Sequence, residues 1–442
     1  MPMIRLTIPS IEDDDLAAVR EVLASGYLVQ GRHVAAFEEA VAACVGVPHA
    51  IAVSNCTAAL HLSLLALGVG PGDSVAVTAY SFTATANVIE LCGAKPLFVD
   101  IRPDTFNMDP ARLAEALARE PAGRVKAIIP VHTFGQMADM PAILAVAAKH
   151  GVPVIEDAAC ALGAALACAE PAGGEGAQRA ETGNRKSEIG NAACRPAGAW
   201  GLMGCFSFHP RKAITTGEGG MVVTRDAGLA AKLRALRNHG QDPAAPSPDF
   251  ILPGFNYRMT DLQGALGVTQ MAKLPRVISA RRERAAVYDR LLAAFGPKSQ
   301  AANRNSQEGS HAEGAEGQSQ QRKEKSEIGN RKSEMGAIQP PAVAPGARHV
   351  YQSYVVLLPR EAAGRRDDII AALKAQGIET TIGTWHIPML SYYRRTYGYR
   401  EGDFPVADDI FARALTLPLH ERLGGEDQAR VLDSLCACLA ET

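Results

Sequence analysis

The chain has 442 residues, 47% of them hydrophobic and 21% charged, and its 45 basic and 47 acidic residues leave a formal net charge of -2. That near-balance excludes the strongly basic face of a protein whose main partner is nucleic acid. The apolar content suffices for one large domain with a smaller one attached, or for two domains of ordinary size, and a small-molecule enzyme is the class left standing.

The N-terminus reads MPMIRLTIPSIEDDD, interrupted by Arg5 and followed by acids from Glu12 to Asp15, which is not the pattern of a secretory leader. No apolar run is long enough to cross a bilayer. The nine cysteines are irregularly spaced and form no zinc-ligand array; Cys436 and Cys438 read as small buried hydrophobes. The expectation is a reduced, cytoplasmic protein with no metal and no membrane or nucleic-acid partner.

Residues 11–24 and 33–45 carry apolar side chains at helical spacing, the first run closed by Gly26. AIAVSN (50–55) is a short strand pattern, followed by a helix pattern with Thr57 at its head and Gly68 and Pro71 at its tail. Strand and helix patterns then alternate: SVAVT (74–78), a helix over 85–93, KPLFVD (95–100), a helix over 112–120, VKAIIPVH (125–132), a helix over 138–151 and VPVIEDAA (152–159). This alternation predicts an α/β fold whose mostly parallel sheet is covered on both faces. Ligands of such sheets gather at the carboxyl ends of the strands, where Asn55, Asp157 and the residues around Phe82 fall.

After residue 245 the texture changes to a charged helical stretch (261–295), a strand within 349–359, a helix within 365–377 and ALTLPLHERL at 414–423. The chain therefore divides into a large domain, 1–245, and a smaller α+β C-terminal domain, 246–442. Two segments, 167–197 and 297–346, have a disordered composition almost without large apolar residues. They share KSEIGN (186–191 and 325–330) and GNRKSE (183–188 and 329–334). Matched docking tails would explain this. Two copies of one inserted element explain it more simply, because surface loops lengthen at small entropic cost.

The stretch FSFHPRKAITTGEGG (206–220) sets Lys212 beside hydroxyls at Ser207, Thr215 and Thr216 and a cluster of glycines. A lysine that attacks an aldehyde needs a neutral amine, and pyridoxal phosphate also needs donors for its phosphate. Ser207 offers a hydroxyl, and Thr57 and Ala58 begin a helix whose free amides and dipole favour an anion. Gly217, Gly219 and Gly220 permit a tight turn behind the lysine. A loop lysine in a glycine-rich turn explains the stretch equally well. The lysine precedes the glycines, so this is not the GxxxxGK[ST] order of a nucleoside-triphosphate site.

Asp157 ends the run VPVIED. Paired with a pyridine nitrogen, its carboxylate would keep that nitrogen protonated and the ring electron-withdrawing. Alone it reads more simply as a turn cap; with Lys212 downstream the cofactor reading gains. Phe82 suits either stacking on a ring or packing in the core. Asn256, between Phe255 and Tyr257, suits either a site or a turn.

The pieces CTAAL, YSFTATAN, GAKPLFVDI, IIPVHTFGQMADM, VIEDAACALGA, CFSFHPRKAITTGEGGMVVT, RNHG, GFNYRMTDLQGALG and FPVADD together resemble the DegT/DnrJ/EryC1/StrS family of pyridoxal-phosphate sugar aminotransferases, over nearly the whole chain apart from the two inserts. The resemblance implies the aspartate-aminotransferase-like fold (fold type I), working as a homodimer. It places Lys212 on the Schiff-base lysine, Asp157 on the partner of the pyridine nitrogen and Phe82 on the stacking aromatic. Thr57, Ala58 and Ser207 fall on phosphate-binding positions, and Asn256 on a residue that reaches the phosphate of the neighbouring subunit. His209 falls beside the site with no firm role.

Two departures stand out. Cys160 occupies the position of a glutamine that hydrogen-bonds the cofactor's ring oxygen, and a thiol is the weaker donor. GTWHIPMLSYY (383–393), with His386 and Pro388, replaces the family's HxYxP-type loop. The implied reaction takes an amino group from glutamate to a keto-sugar on a nucleotide diphosphate, with Lys212 as general acid and base. The alternatives are a sugar dehydratase, in which a histidine replaces the lysine, and a noncatalytic binding or regulatory protein that kept the fold. Lys212 argues against the first, and intact Lys212, Asp157 and Ser207 against the second.

Overall fold

A computed structural model describes residues 3–167, 194–242, 244–295 and 337–440. Of the two segments read as inserts, 168–193 and 297–336 lie outside the described residues.

The chain opens with helices α1 (Asp13–Ser25) and α2 (Arg32–Val45). There follow β1 (His49–Val53), α3 (Cys56–Ala66), β2 (Ser74–Thr78), β3 (Tyr80–Ser81), α4 (Ala84–Leu91), β4 (Lys95–Val99), α5 (Pro110–Arg119), β5 (Val125–Ile129), α6 (Met140–His150) and β6 (Ile155–Asp157). Then come β7 (Ala165–Ala167), β8 (Cys194–Pro196), β9 (Met203–Ser207), β10 (Gly220–Thr224), α7 (Ala227–Arg237) and the long α8 (Asp261–Phe295). The last part holds β11 (Ala347–Arg348), β12 (Tyr354–Leu357), β13 (Thr381–Ile382), β14 (Trp385–His386) and β15 (Ala414–Leu417), with helices Arg366–Ala375, Ser391–Tyr397, Pro405–Arg413 and Gly425–Ala440.

A four-stranded sheet, β1-β10-β9-β6, and a three-stranded sheet, β4-β2-β5, meet where β5 leads into its neighbour: Ile128 pairs with Val154 and Val131 with Asp157, both parallel. The joined order is β4-β2-β5-β6-β9-β10-β1, and β10 alone runs against the rest. Alternate side chains feed two apolar clusters. Ile51, Val53, Val75, Val77, Ile155 and Cys205 belong to one, and Ala50, Ala52, Ala76, Val154, Phe206 and Val223 to the other. Burial on both faces is why SVAVT reads as an unbroken run of small and β-branched residues.

A third cluster gathers Tyr288, Tyr354, Ile369, Leu373, Leu415 and Leu432 around the sheet β12-β15-β13. Ile4 joins it from the other end of the chain, pairing with Ile378.

The structure corrects two expectations. The helix after β1 begins at Cys56, not Thr57, because Asn55 is its N-cap, its side chain accepting from the Ala58 amide at 2.8 Å. The inserts are also shorter than their composition suggested. β7 pairs with β8 (Ala167 opposite Cys194) and with β11 (Leu166 opposite Ala347), and Gln339 bridges to Leu357. These edges are alanine, cysteine and proline rich; backbone pairing holds them, and composition carries no sign of it.

Candidate active site

The parallel strands deliver their carboxyl ends to one rim of the sheet: β1 runs into Asn55, β2 into β3 and Phe82, β6 ends on Asp157 and β9 on Ser207. Gly220 starts β10 opposite Ser207 and Val53, and a Cβ there would sit 2.3 Å from the Asn55 carbonyl. Only glycine lets β10 lie this close to the head of α3.

Neighbouring residues on β6 face opposite ways. Glu156 is wholly buried and accepts from the amides of Gly198 (2.9 Å), Trp200 (2.7 Å) and Gly201 (2.7 Å). His132 Nε2 lies 2.8 Å from it, and because His132 Nδ1 accepts from the Ala138 amide, Nε2 carries the ring proton and donates to Glu156. This carboxylate is fully satisfied, and it fixes the end of the strand that presents Asp157.

Asp157 is 4% exposed on the other face. Its Oδ2 accepts from Thr85 Oγ1 at 2.7 Å and its Oδ1 from the Ala159 amide at 3.1 Å. Each oxygen keeps a further acceptor site.

Lys212 is half-buried in the connection between β9 and β10, its amide bonded to the His209 carbonyl. Its Nζ donates to Cys160 Sγ at 3.1 Å. Burial works against the ammonium, but the Cys160 sulfur that accepts its hydrogen bond and the Asp157 charge outweigh that and hold the lysine above its ordinary range. Cys56, the first residue of α3, feels the same neighbours: burial pushes its thiol well up, and the Asp157 charge adds to the effect. Asp157, Cys160, Lys212 and Cys56 thus share one corner.

The other candidates lie around it. Phe82 is 62% exposed, so it is no part of the core. Ser207 is half-buried, and its hydroxyl accepts from the His209 amide at 3.4 Å. Thr57 is exposed on the first turn of α3, whereas Ala58 is buried with its amide already given to Asn55. Asn256 is exposed; its backbone bridges Asn238, and the Tyr257 carbonyl beside it accepts from the Ser54 amide. His209 Nδ1 accepts from the Arg211 amide, and burial lowers its pKa against the pull of Glu218. The divergent loop docks at the same rim, with Trp385 paired to Ser81 and His386 to Tyr80 in the ribbon β14–β3. His386 is buried with Nδ1 3.2 Å from Asp408 Oδ1.

Sequence reasoning missed Thr85, Cys56, Glu156 and His132. Thr85 sits three residues after Phe82 in the first turn of α4, among Ser81, Thr83 and Asn87, and nothing local in the sequence marks it.

The Cys160 contact has a measurable consequence. Cys160→Ala removes one of the groups that keep Lys212 charged, so its pKa is expected to fall. The rate at which an amine-reactive aldehyde is trapped on Lys212 by borohydride would then rise at lower pH than in the wild type. An unmoved rate–pH curve would contradict the assignment.

The model of the family described as "DegT/DnrJ/EryC1/StrS aminotransferase family" matches residues 9–328 and 310–436. The chain is 35% identical over 436 residues to GDP-perosamine synthase of Caulobacter vibrioides, covering 98% of each. Among solved structures it is similar to the aminotransferase TlmJ from Streptoalloteichus hindustanus, at 29% identity and TM-score 0.76 over 99% of both chains. It is also similar to S. venezuelae DesV, solved in complex with a ketimine intermediate, at 27% identity and TM-score 0.76 over 100% of both. The α/β architecture is therefore that of the fold type I aminotransferases, as the resemblance implied.

Proposed function

The chain belongs to the DegT/DnrJ/EryC1/StrS aminotransferase family, and on that footing we propose that it uses pyridoxal 5'-phosphate to move an amino group from glutamate to a nucleotide-linked keto-sugar. One observation carries the proposal: the amine of Lys212, which donates to Cys160 at 3.1 Å, lies close enough to the Asp157 carboxylate to feel its charge. The donor set fits this cofactor. Lys212 would hold it through Nζ, and Asp157, oriented by Thr85 and Ala159, would accept a hydrogen bond from the pyridine nitrogen and keep that nitrogen protonated. The Ser207 and Thr57 hydroxyls and the amino end of α3 suit a phosphate. Ala58 contributes its place in that first turn, its own amide being held by Asn55. Phe82 offers an exposed ring to stack. Cys160 would offer the ring oxygen a weaker donor than an amide.

When bound, pyridoxal phosphate supplies an electron sink for the substrate's α-carbon. Lys212 Nζ then takes and returns the α-carbon proton, which a lysine so placed can do only as the free amine. The nucleotide-linked sugar as acceptor is supported by the name of the Caulobacter relative.

A homodimer is supported by apolar side chains left exposed at Tyr27 (83%), Val29 (64%) and Phe250 (60%). In it, Asn256 would reach the phosphate of the neighbouring subunit. A cytoplasmic setting is supported by the free thiols of Cys56, Cys92, Cys160, Cys194 and Cys205. Among the described residues no helix is long and apolar enough to cross a membrane. The separate apolar cluster around β12-β15-β13 supports the division into a cofactor domain, 1–245, and a smaller domain, 246–442.

The test is a screen of nucleotide-linked keto-sugars with glutamate, read by mass spectrometry. The expected result is an amino-sugar appearing together with 2-oxoglutarate. A dehydrated sugar without nitrogen would support the dehydratase instead, and no conversion of any keto-sugar would count against the sugar substrate.

A further inference from the structure

A threonine inside a helix ordinarily returns its hydroxyl to the carbonyl four residues back. Thr85, in the first turn of α4 and 1% exposed, does something else: its Oγ1 reaches Asp157 Oδ2, 72 residues away, at 2.7 Å. Ser81 Oγ lies 3.3 Å from the same Thr85 oxygen, and Ser81 is itself 5% exposed. An ionised carboxylate can only accept, so Thr85 spends its one proton on Asp157 and must accept from Ser81. The three groups form a directed chain, Ser81 to Thr85 to Asp157, in which each bond polarises the next. From the other side the Ala159 amide holds Asp157 Oδ1 at 3.1 Å. The carboxylate is thus gripped by two elements far apart in the chain, α4 and the turn after β6.

We propose that Thr85 is the positioning residue for Asp157. By donating to Oδ2 it fixes the plane of the carboxylate, so that one orientation meets the pyridine nitrogen. The inference rests on the cofactor reading given above. Thr85 acts through Asp157, the group its hydroxyl donates to. Ser81 sets the direction of the chain from β3, the strand that also leads into Phe82.

The test uses the full chain as wild type, Thr85→Val and Thr85→Ser, each titrated with pyridoxal phosphate and with the analogue in which the ring nitrogen is replaced by carbon. Valine keeps the shape and removes the donor. Thr85→Val is expected to bind pyridoxal phosphate on the order of tenfold more weakly, the value of one hydrogen bond to a charged group. The pH at which the bound cofactor's absorbance changes is expected to shift, while Thr85→Ser stays close to wild type. With the nitrogen-free analogue, wild type and Thr85→Val are expected to bind alike, because the ring nitrogen that Asp157 would pair with is missing.

Equal weakening toward cofactor and analogue would mark a general structural loss and overturn the inference, as would unchanged binding and an unmoved pH profile in Thr85→Val. If the wild type binds neither, the cofactor reading falls and this inference with it. That outcome is distinct from binding by the wild type with no difference in the variant.

Discussion

Lys212→Ala is expected to abolish turnover and to leave the protein without the absorbance of a lysine-bound pyridoxal phosphate. Alanine removes both roles of the side chain at once, the covalent hold on the cofactor and the proton carrier at the α-carbon. Proton transfer by a positioned group alone is worth roughly 10²–10⁴-fold, so the combined loss should take the rate below detection in an ordinary assay. The fold should survive. The backbone of this turn is held by the Lys212 amide on the His209 carbonyl, and the lost side-chain partner is a thiol rather than a carboxylate. A circular dichroism spectrum and melting temperature close to wild type, with no activity, are the expected pair of results. Turnover within tenfold of wild type would remove Lys212 from the mechanism.

Asp157→Asn is expected to cut the rate of α-proton removal by roughly 10²–10⁴-fold, which corresponds to about 3–5 kcal/mol for losing one member of a buried charge pair. Asparagine keeps the shape and can still accept from the Ala159 amide through Oδ1, while its Nδ2 faces Thr85 Oγ1, which must then accept instead of donate; the volume is kept while the charge is lost. The variant therefore isolates electrostatics from packing. Single-turnover mixing of the loaded protein with glutamate, followed by cofactor absorbance, measures the step directly. A wild-type rate would mean that the ring nitrogen needs no anionic partner here.

The sheet was readable where its strands are unbroken apolar runs, as in SVAVT and VPVIED, because burial on both faces leaves no other composition. It was not readable at β9 and β10, whose MGCFS and GMVVT are rich in glycine and sulfur. There glycine serves close backbone approach, as at Gly220 against Asn55, and so dilutes the strand signal. Lys212 and Asp157 were legible because they stand in a glycine-rich turn and at the end of a predicted strand; Cys160 entered only through the family resemblance, and the three lie in one corner. Thr85 was not legible, since a threonine in SFTATAN looks like any helix start and its partner is distant in the chain. Glu156 was hidden for a related reason: what it binds is mostly backbone amides from 198–201, and amides carry no sequence signature. Phe82 was left between stacking and core packing, and its exposure settles only that it is not core.

The small sheet β11-β7-β8 bears on how this chain tolerates change. Ala167 faces Cys194 directly across an antiparallel pair, and the Ala167 amide also bonds the Gly346 carbonyl at 3.0 Å. The two ends that residues 168–193 must connect are therefore already side by side, at the spacing a tight hairpin spans. A two-residue turn between Ala167 and Cys194 would leave this pair as it stands.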